Sequence, residues 1–107
     1  MKQLHPVSLK EWLDDSARKP PMLVDVRDSW EYRYCHIEGS MLLPLSQVTE
    51  RMAELDPEAE IVVVCHLGVR SYRACLSLKQ AGFSNIYNLQ GGVEAWARDV
   101  DPNMRRY

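Results

Sequence analysis

Ile61-Val62-Val63-Val64-Cys65-His66-Leu67-Gly68-Val69-Arg70-Ser71 is the stretch on which the fold turns. Its four β-branched residues are stiff at χ1 and favour extended backbone. They leave no polar face, so Ile61–Val64 is expected as the central strand of a parallel sheet covered on both sides. A cysteine follows at once, then a short loop containing Gly68, then a helix beginning near Arg70-Ser71. Ala74, Cys75, Leu78 and Ala81 should form the buried stripe of that helix, and Gly82 supplies a residue suited to end it. Strand, short loop and helix in this order make half of a right-handed crossover unit.

Working outward, the same alternation recurs. Upstream, Met22–Val26 reads as a buried strand released by Pro20-Pro21. Asp28-Ser29-Trp30-Glu31 has the form of a helix cap. Met41-Leu42-Leu43 is expected as a short strand stopped by Pro44. Ser46 is expected to cap a helix carrying Val48, Met52 and Leu55, which Asp56-Pro57 breaks. Nearer the start, Ser8-Leu9-Lys10-Glu11 has the capping-box spacing and should open a helix through Trp12 and Leu13. Downstream come a strand at Ile86–Leu89, a tight turn at Gly91-Gly92 and a last helix over Val93–Arg98. Strands alternating with helices at these lengths predict a three-layer α/β/α domain spanning residues 1–107, with a mostly parallel sheet. Pattern alone leaves the strand order open.

Composition narrows the function. The 107 residues are 46% hydrophobic and 26% charged, which is ordinary for a globular domain and excludes disordered and low-complexity classes. Thirteen basic residues against fifteen acidic ones give a net charge of −2, so neither nucleic acid nor an acidic membrane is expected as a partner. The longest apolar runs, Ile61–Cys65 and Met41–Leu45, fall far short of a membrane span. Met1–Pro6 has no apolar core of the kind a secretory signal needs, which points to the cytoplasm. Three cysteines, Cys35, Cys65 and Cys75, are too few and odd in number for a disulfide framework. Each is then packing or chemistry.

Cys65 has the chemical claim. Binding crevices in such sheets lie at the carboxyl ends of the strands, where Cys65 falls. A loop curling through His66, Leu67, Gly68, Val69, Arg70 and Ser71 would aim backbone N–H groups at the sulfur and form an anion cradle at a helix N-terminus. Gly68 gives the curl its backbone freedom. Such settings favour thiolate over thiol, and the loop is expected to expose the sulfur as a nucleophile. The Arg70 fork is expected to brace loop carbonyls or bind an anionic donor. Asp25 closes its strand on the same edge; it either hydrogen-bonds the loop or caps the following turn, and a structural role is favoured. Arg27 and Glu31 are spaced to pair with each other. Arg73 is expected to be solvated and His36 to bond backbone in its turn. Cys75 is packing, and the three tryptophans, Trp12, Trp30 and Trp96, belong to core and rim. Cys35-His36 and Cys65-His66 do not make a zinc site, because adjacent side chains point apart. Neither metal nor cofactor is called for.

These residues carry a resemblance. Val24-Asp25-Val26-Arg27 with Glu31-Tyr32 and His36-Ile37-Glu38-Gly39-Ser40, then Cys65 through Ser71, then Ala81-Gly82-Phe83, Asn88-Leu89 and Gly91-Gly92-Val93-Glu94-Ala95-Trp96, resemble in order the motifs of single-domain rhodaneses, the thiosulfate sulfurtransferase-like family. The match covers about nine-tenths of the chain, and ordered motifs together are far more specific than any one of them. The resemblance implies the five-stranded sheet of the rhodanese and cell-cycle-phosphatase type. It also implies transfer of sulfane sulfur from thiosulfate or a persulfide to a thiol or cyanide, through a persulfide on Cys65. Three positions depart from the family: Cys35 stands where glycine is usual, and His66 and Val69 stand where thiosulfate-preferring members often carry basic side chains. A persulfide on a partner protein or a small thiol is therefore an alternative donor. Two further readings stay open. One is a persulfide carrier or protein-binding module without turnover. The other is a phosphatase or arsenate reductase, whose loop generally runs seven residues from cysteine to arginine, where Cys65 to Arg70 runs six.

Overall fold

The computed structural model describes all residues from Met1 to Tyr107. Five strands, β1 (Lys2–Leu4), β2 (Met22–Asp25), β3 (Met41–Leu42), β4 (Ile61–Val64) and β5 (Ile86–Leu89), form one sheet in the order β1-β5-β4-β2-β3. Every neighbouring pair is parallel, and β4 lies at the centre as its composition predicts. Four helices lie in the connections, α1 (Pro6–Asp14), α2 (Ser29–Tyr34), α3 (Val48–Arg51) and α4 (Val69–Gln80), and a fifth, α5 (Gly92–Asp99), follows β5.

The period-two alternation of β4 builds two cores. Ile61 and Val63 pack with Ala74, Cys75 and Leu78 of α4 and Val48 of α3. Val62 and Val64 face the other way, onto Leu9 and Trp12 of α1 and Val93 and Trp96 of α5. All four β4 residues are buried, so neither face of the strand tolerates a polar substitution. This is the expected three-layer arrangement. No helix is long and apolar enough to cross a membrane.

Local departures have local causes. β1 is not foreseen, because Lys2-Gln3-Leu4 carries no strand pattern; its pairing comes from the β5 backbone, in register Lys2 to Tyr87 through Leu4 to Leu89. As an edge strand it tolerates Lys2 and Gln3 on its surface. α1 opens at Pro6, not Ser8: proline suits a first helical position, and His5 Nδ1 accepts the Val7 N–H at 3.1 Å. Ser46 caps nothing. It lies within a single 3₁₀ turn over Leu45–Gln47, and the expected helix over Val48–Leu55 shrinks to α3 and a second such turn. Ala81 is exposed, since α4 stops at Gln80, and Ser71 joins the buried stripe in its place. The helix closes with Phe83 N–H to Leu78 O and Gly82 N–H to Lys79 O, with Gly82 at φ +99° as its sequence position requires.

Candidate active site

β4 delivers Cys65 to the carboxyl edge of the sheet, and α4 departs from the same edge. Between them the chain must reverse within three residues. Gly68 makes this possible by adopting φ +99° at the N-cap of α4. The turn brings the Gly68 N–H to 3.0 Å from Cys65 Sγ and Ser71 Oγ to 3.2 Å from it. Of the loop amides expected to face the sulfur, Gly68 alone reaches it. The Ser71 hydroxyl also donates to Asn88 Oδ1. A hydroxyl has one proton, so in this arrangement the thiol donates to Ser71, and an anionic sulfur would compete with Asn88 for the serine proton.

Two neighbouring elements fix the outer side of the loop. The first amides of α5 donate to it, Val93 N–H to Cys65 O at 2.9 Å and Glu94 N–H to His66 O at 3.1 Å. Such close approach demands Gly92 (φ +59°), because a Cβ there would run into those same carbonyl oxygens. Gly91-Gly92 is therefore more than the expected turn: it is the seat of the loop. From β5, Asn88 Nδ2 donates to Gly68 O at 3.2 Å and to Gln3 Oε1 at 3.0 Å. Asn88 had no functional reading in the sequence, although a polar side chain inside an apolar strand was the available signal.

The charged residues pair differently from the expectation. Arg70 does not brace loop carbonyls and has no free fork. Its two terminal nitrogens donate to the two oxygens of Glu31, at 2.7 and 2.8 Å. Those bonds hold the Glu31 carboxyl well below the usual carboxylate range, down to about 2, against the opposing effect of burial. Burial works against the Arg70 charge too, yet the bonds it donates to Glu31 dominate and hold its guanidinium more firmly protonated. The expected Arg27–Glu31 pair is absent. Arg27 donates through Nε and Nη2 to Asp25, with Nη2 to Oδ2 at 2.7 Å, and both residues are fully buried. The rule of four-residue pairing applies along a helix, and Arg27 precedes α2. Asp25 is thus structural, but it holds Arg27 and touches neither Cys65 nor its loop by hydrogen bond. Arg27 Nη2 also donates to Cys35 O at 2.6 Å, which occupies the turn where the family prefers glycine. The Asp28 N–H donates to Glu31 Oε1 at 3.0 Å, as the cap signal requires.

Cys65 is 1% exposed, against the expectation of an open sulfur. It lies at the base of a cup of about 120 Å³ lined by Cys65, His66, Leu67, Val69 and Arg70. Leu67 and Val69 form the rim at 58% and 68% exposed. They also border a wider groove of about 600 Å³ that runs along Tyr72 and Leu76 of α4. The His66 ring stacks on Tyr107, at 3.9 Å between ring centres. Cys75, on the buried stripe of α4, has its sulfur 3.7 Å from Tyr87 O, and burial pushes its thiol up to about 12. His36 bonds the Tyr32 carbonyl, as expected.

This fold and cysteine loop define a rhodanese-like domain. The family model of the rhodanese-like domain matches residues 6–99, and the chain belongs to that family. It is 43% identical over 104 residues to a probable adenylyltransferase/sulfurtransferase, MoeZ, of Mycobacterium tuberculosis, covering 95% of this chain and 26% of that one. The chain thus spans about a quarter of that relative's length. It is 37% identical over 91 residues to a sulfurtransferase of Allochromatium vinosum, covering 85% of this chain and 83% of the relative. The crystal structure of a rhodanese-like domain protein from Staphylococcus aureus superposes with a TM-score of 0.85 at 28% identity, over 100% and 99% of the two chains. Relatives of this chain are sulfurtransferases, and its family is one of sulfur transfer.

Proposed function

We propose that residues 1–107 act as one sulfurtransferase unit carrying sulfane sulfur on Cys65. The Cys65 thiolate attacks the outer sulfur of a donor persulfide or thiosulfate. The donor S–S bond breaks, and the thiolate or sulfite leaves with the electron pair. An acceptor thiolate, or cyanide, then attacks the outer sulfur of the Cys65 persulfide, whose S–S bond breaks to return the thiolate. The observation that carries this reading is the placement of Cys65 Sγ at the base of a cup, with the Gly68 N–H aimed at it. A fixed donor there meets negative charge on sulfur at both ends of the cycle.

The cup also bears on the donor. Arg70 is its only guanidinium, and Glu31 neutralises it. A dianion such as thiosulfate gains little there, which favours persulfides. The exposed Leu67, Val69, Tyr72 and Leu76 beside the cup favour a protein as donor or acceptor, in keeping with a carrier role in a reducing compartment such as the cytoplasm. A phosphatase reading has less support, because the six-residue loop encloses a smaller anion site. Intact-mass measurement after incubation with thiosulfate, and separately with a low-molecular-weight persulfide, tests the proposal. Gain of one sulfur atom on Cys65, removed by cyanide or a thiol, is expected. A Cys65 that never gains sulfur from any donor, or turnover of aryl phosphates, overturns it.

A further inference from the structure

Tyr107 lies beyond α5, far in sequence from the cysteine loop, yet it touches that loop at His66 and the Glu31 partner of its Arg70. Its ring stacks on His66, with 3.9 Å between ring centres and planes 12° apart. Its hydroxyl lies 2.6 Å from Glu31 Oε2 and 2.9 Å from Arg27 Nη1. The direction of both bonds is fixed by inventory: Arg27 can only donate and ionised Glu31 can only accept, so the tyrosine proton goes to Glu31. Burial and that bond push the hydroxyl up to about 12, and the proton stays in place at neutral pH. Glu31 in turn holds both terminal nitrogens of Arg70.

We propose that Tyr107 is a positioning residue for the sulfur-transfer loop, tethering His66 on one side of Cys65 and, through Glu31, Arg70 on the other. This rests on the reading of Cys65 as the sulfur carrier. Tyr107 does not border the cup, so it acts through the two residues it holds. Its post is rigid, since Arg27 is fully buried and fastened to Asp25. The Trp30 and Tyr34 rings meet the Tyr107 ring edge-on at 5.6 and 5.9 Å. Arg106 ties the same segment to Glu94 of α5 at 2.8 Å, and the Glu94 N–H bonds the His66 carbonyl. The loop is thereby gripped by one continuous piece of chain, α5 and the residues after it.

Tyr107→Phe and Tyr107→Ala in the full chain separate the two contacts. Phe keeps the stack and loses the hydroxyl bridge, while Ala loses both. Hydrogen exchange of amides 66–70 is read beside the kinetics of persulfide formation. In Tyr107→Ala, exchange of those amides should rise roughly tenfold, with β4 and the middle of α4 keeping their protection. The maximal rate of loading should fall in the order Tyr, Phe, Ala, with the donor KM changing less than the rate, because Tyr107 does not itself border the cup. Unchanged loop exchange in both variants overturns the proposal. Protection lost evenly across the sheet overturns it too, as the mark of a merely structural role. If Tyr107→Ala does not fold, the Phe variant decides alone. Hydrogen exchange needs no sulfur donor, so wild-type protein that fails to load sulfur would defeat the functional reading and leave this test standing.

Discussion

Cys65 and Cys75 sit ten residues apart on one loop–helix unit, and solvent contact does not tell them apart, at 1% and 0% exposed. Their surroundings do. Cys75 packs between Ala74, Leu78 and the β4 side chains, with a long contact to the Tyr87 carbonyl as its one polar neighbour, and burial drives its thiol up to about 12. Cys65 receives a backbone N–H, faces a hydroxyl and opens into a cup. A buried sulfur becomes chemistry when donors and a path reach it, and stays packing when neither does.

The largest expected effect breaks the comparison at its reactive end. Cys65→Ser should reduce sulfur transfer on the order of a thousandfold or more while the fold persists, because an alcohol is not ionised at neutral pH. Cys75→Ala should keep transfer. Steady-state rates with the preferred donor, beside circular dichroism, read both; substantial transfer in Cys65→Ser would give the nucleophile's role to another thiol.

Gly92→Ala attacks the seat of the Cys65 loop and leaves the surroundings of Cys75 untouched. Its Cβ has no room against two loop carbonyls, at a φ that favours glycine. A loss of about 3 kcal/mol in unfolding free energy is expected, with transfer reduced further than stability alone explains. Denaturant titration with parallel kinetics checks it.

Glu31 sharpens the comparison through pH. Its carboxyl is held at about 2 in the folded chain against 4.5 ordinarily. Lowering in the folded state means the unfolded chain takes up the proton first. The contribution, on the order of 2–3 kcal/mol, is complete above about pH 4.5 and is lost as pH falls toward 2. Glu31→Gln should flatten that limb in thermal melts at stepped pH. A Glu31→Gln limb as steep as that of the wild type would show that the Glu31–Arg70 pair does not carry this stability.

Cys75→Ala carries the next effect, a cost of about 1 kcal/mol from a small cavity in the α3–α4 core. The smallest intervention leaves the protein unaltered. Iodoacetamide at neutral pH should label Cys65 before Cys35 and Cys75, read residue by residue by mass spectrometry. Equal labelling of all three would erase the distinction between the two sites.

What was legible in the sequence is whatever the backbone decides over a few residues. Ile61–Val64 announces a central strand because four β-branched residues leave no polar face. Gly68 and Gly82 stand where the chain needs positive φ, and Asp28 with Glu31 writes a helix start. Those signals place Cys65 at the carboxyl edge of a parallel sheet before any contact is known. The tertiary structure decided the partners. Glu31 has Arg27 four residues away and Arg70 thirty-nine away, and it pairs through its carboxylate with the distant one. Arg27 turns back to Asp25, while Asn88, Gly92 and Tyr107 reach the loop from later elements. Periodicity and capping are properties of a neighbourhood along the chain. Which charge meets which, and which glycine must lack a Cβ, depend on distances that exist only once the sheet has ordered its strands.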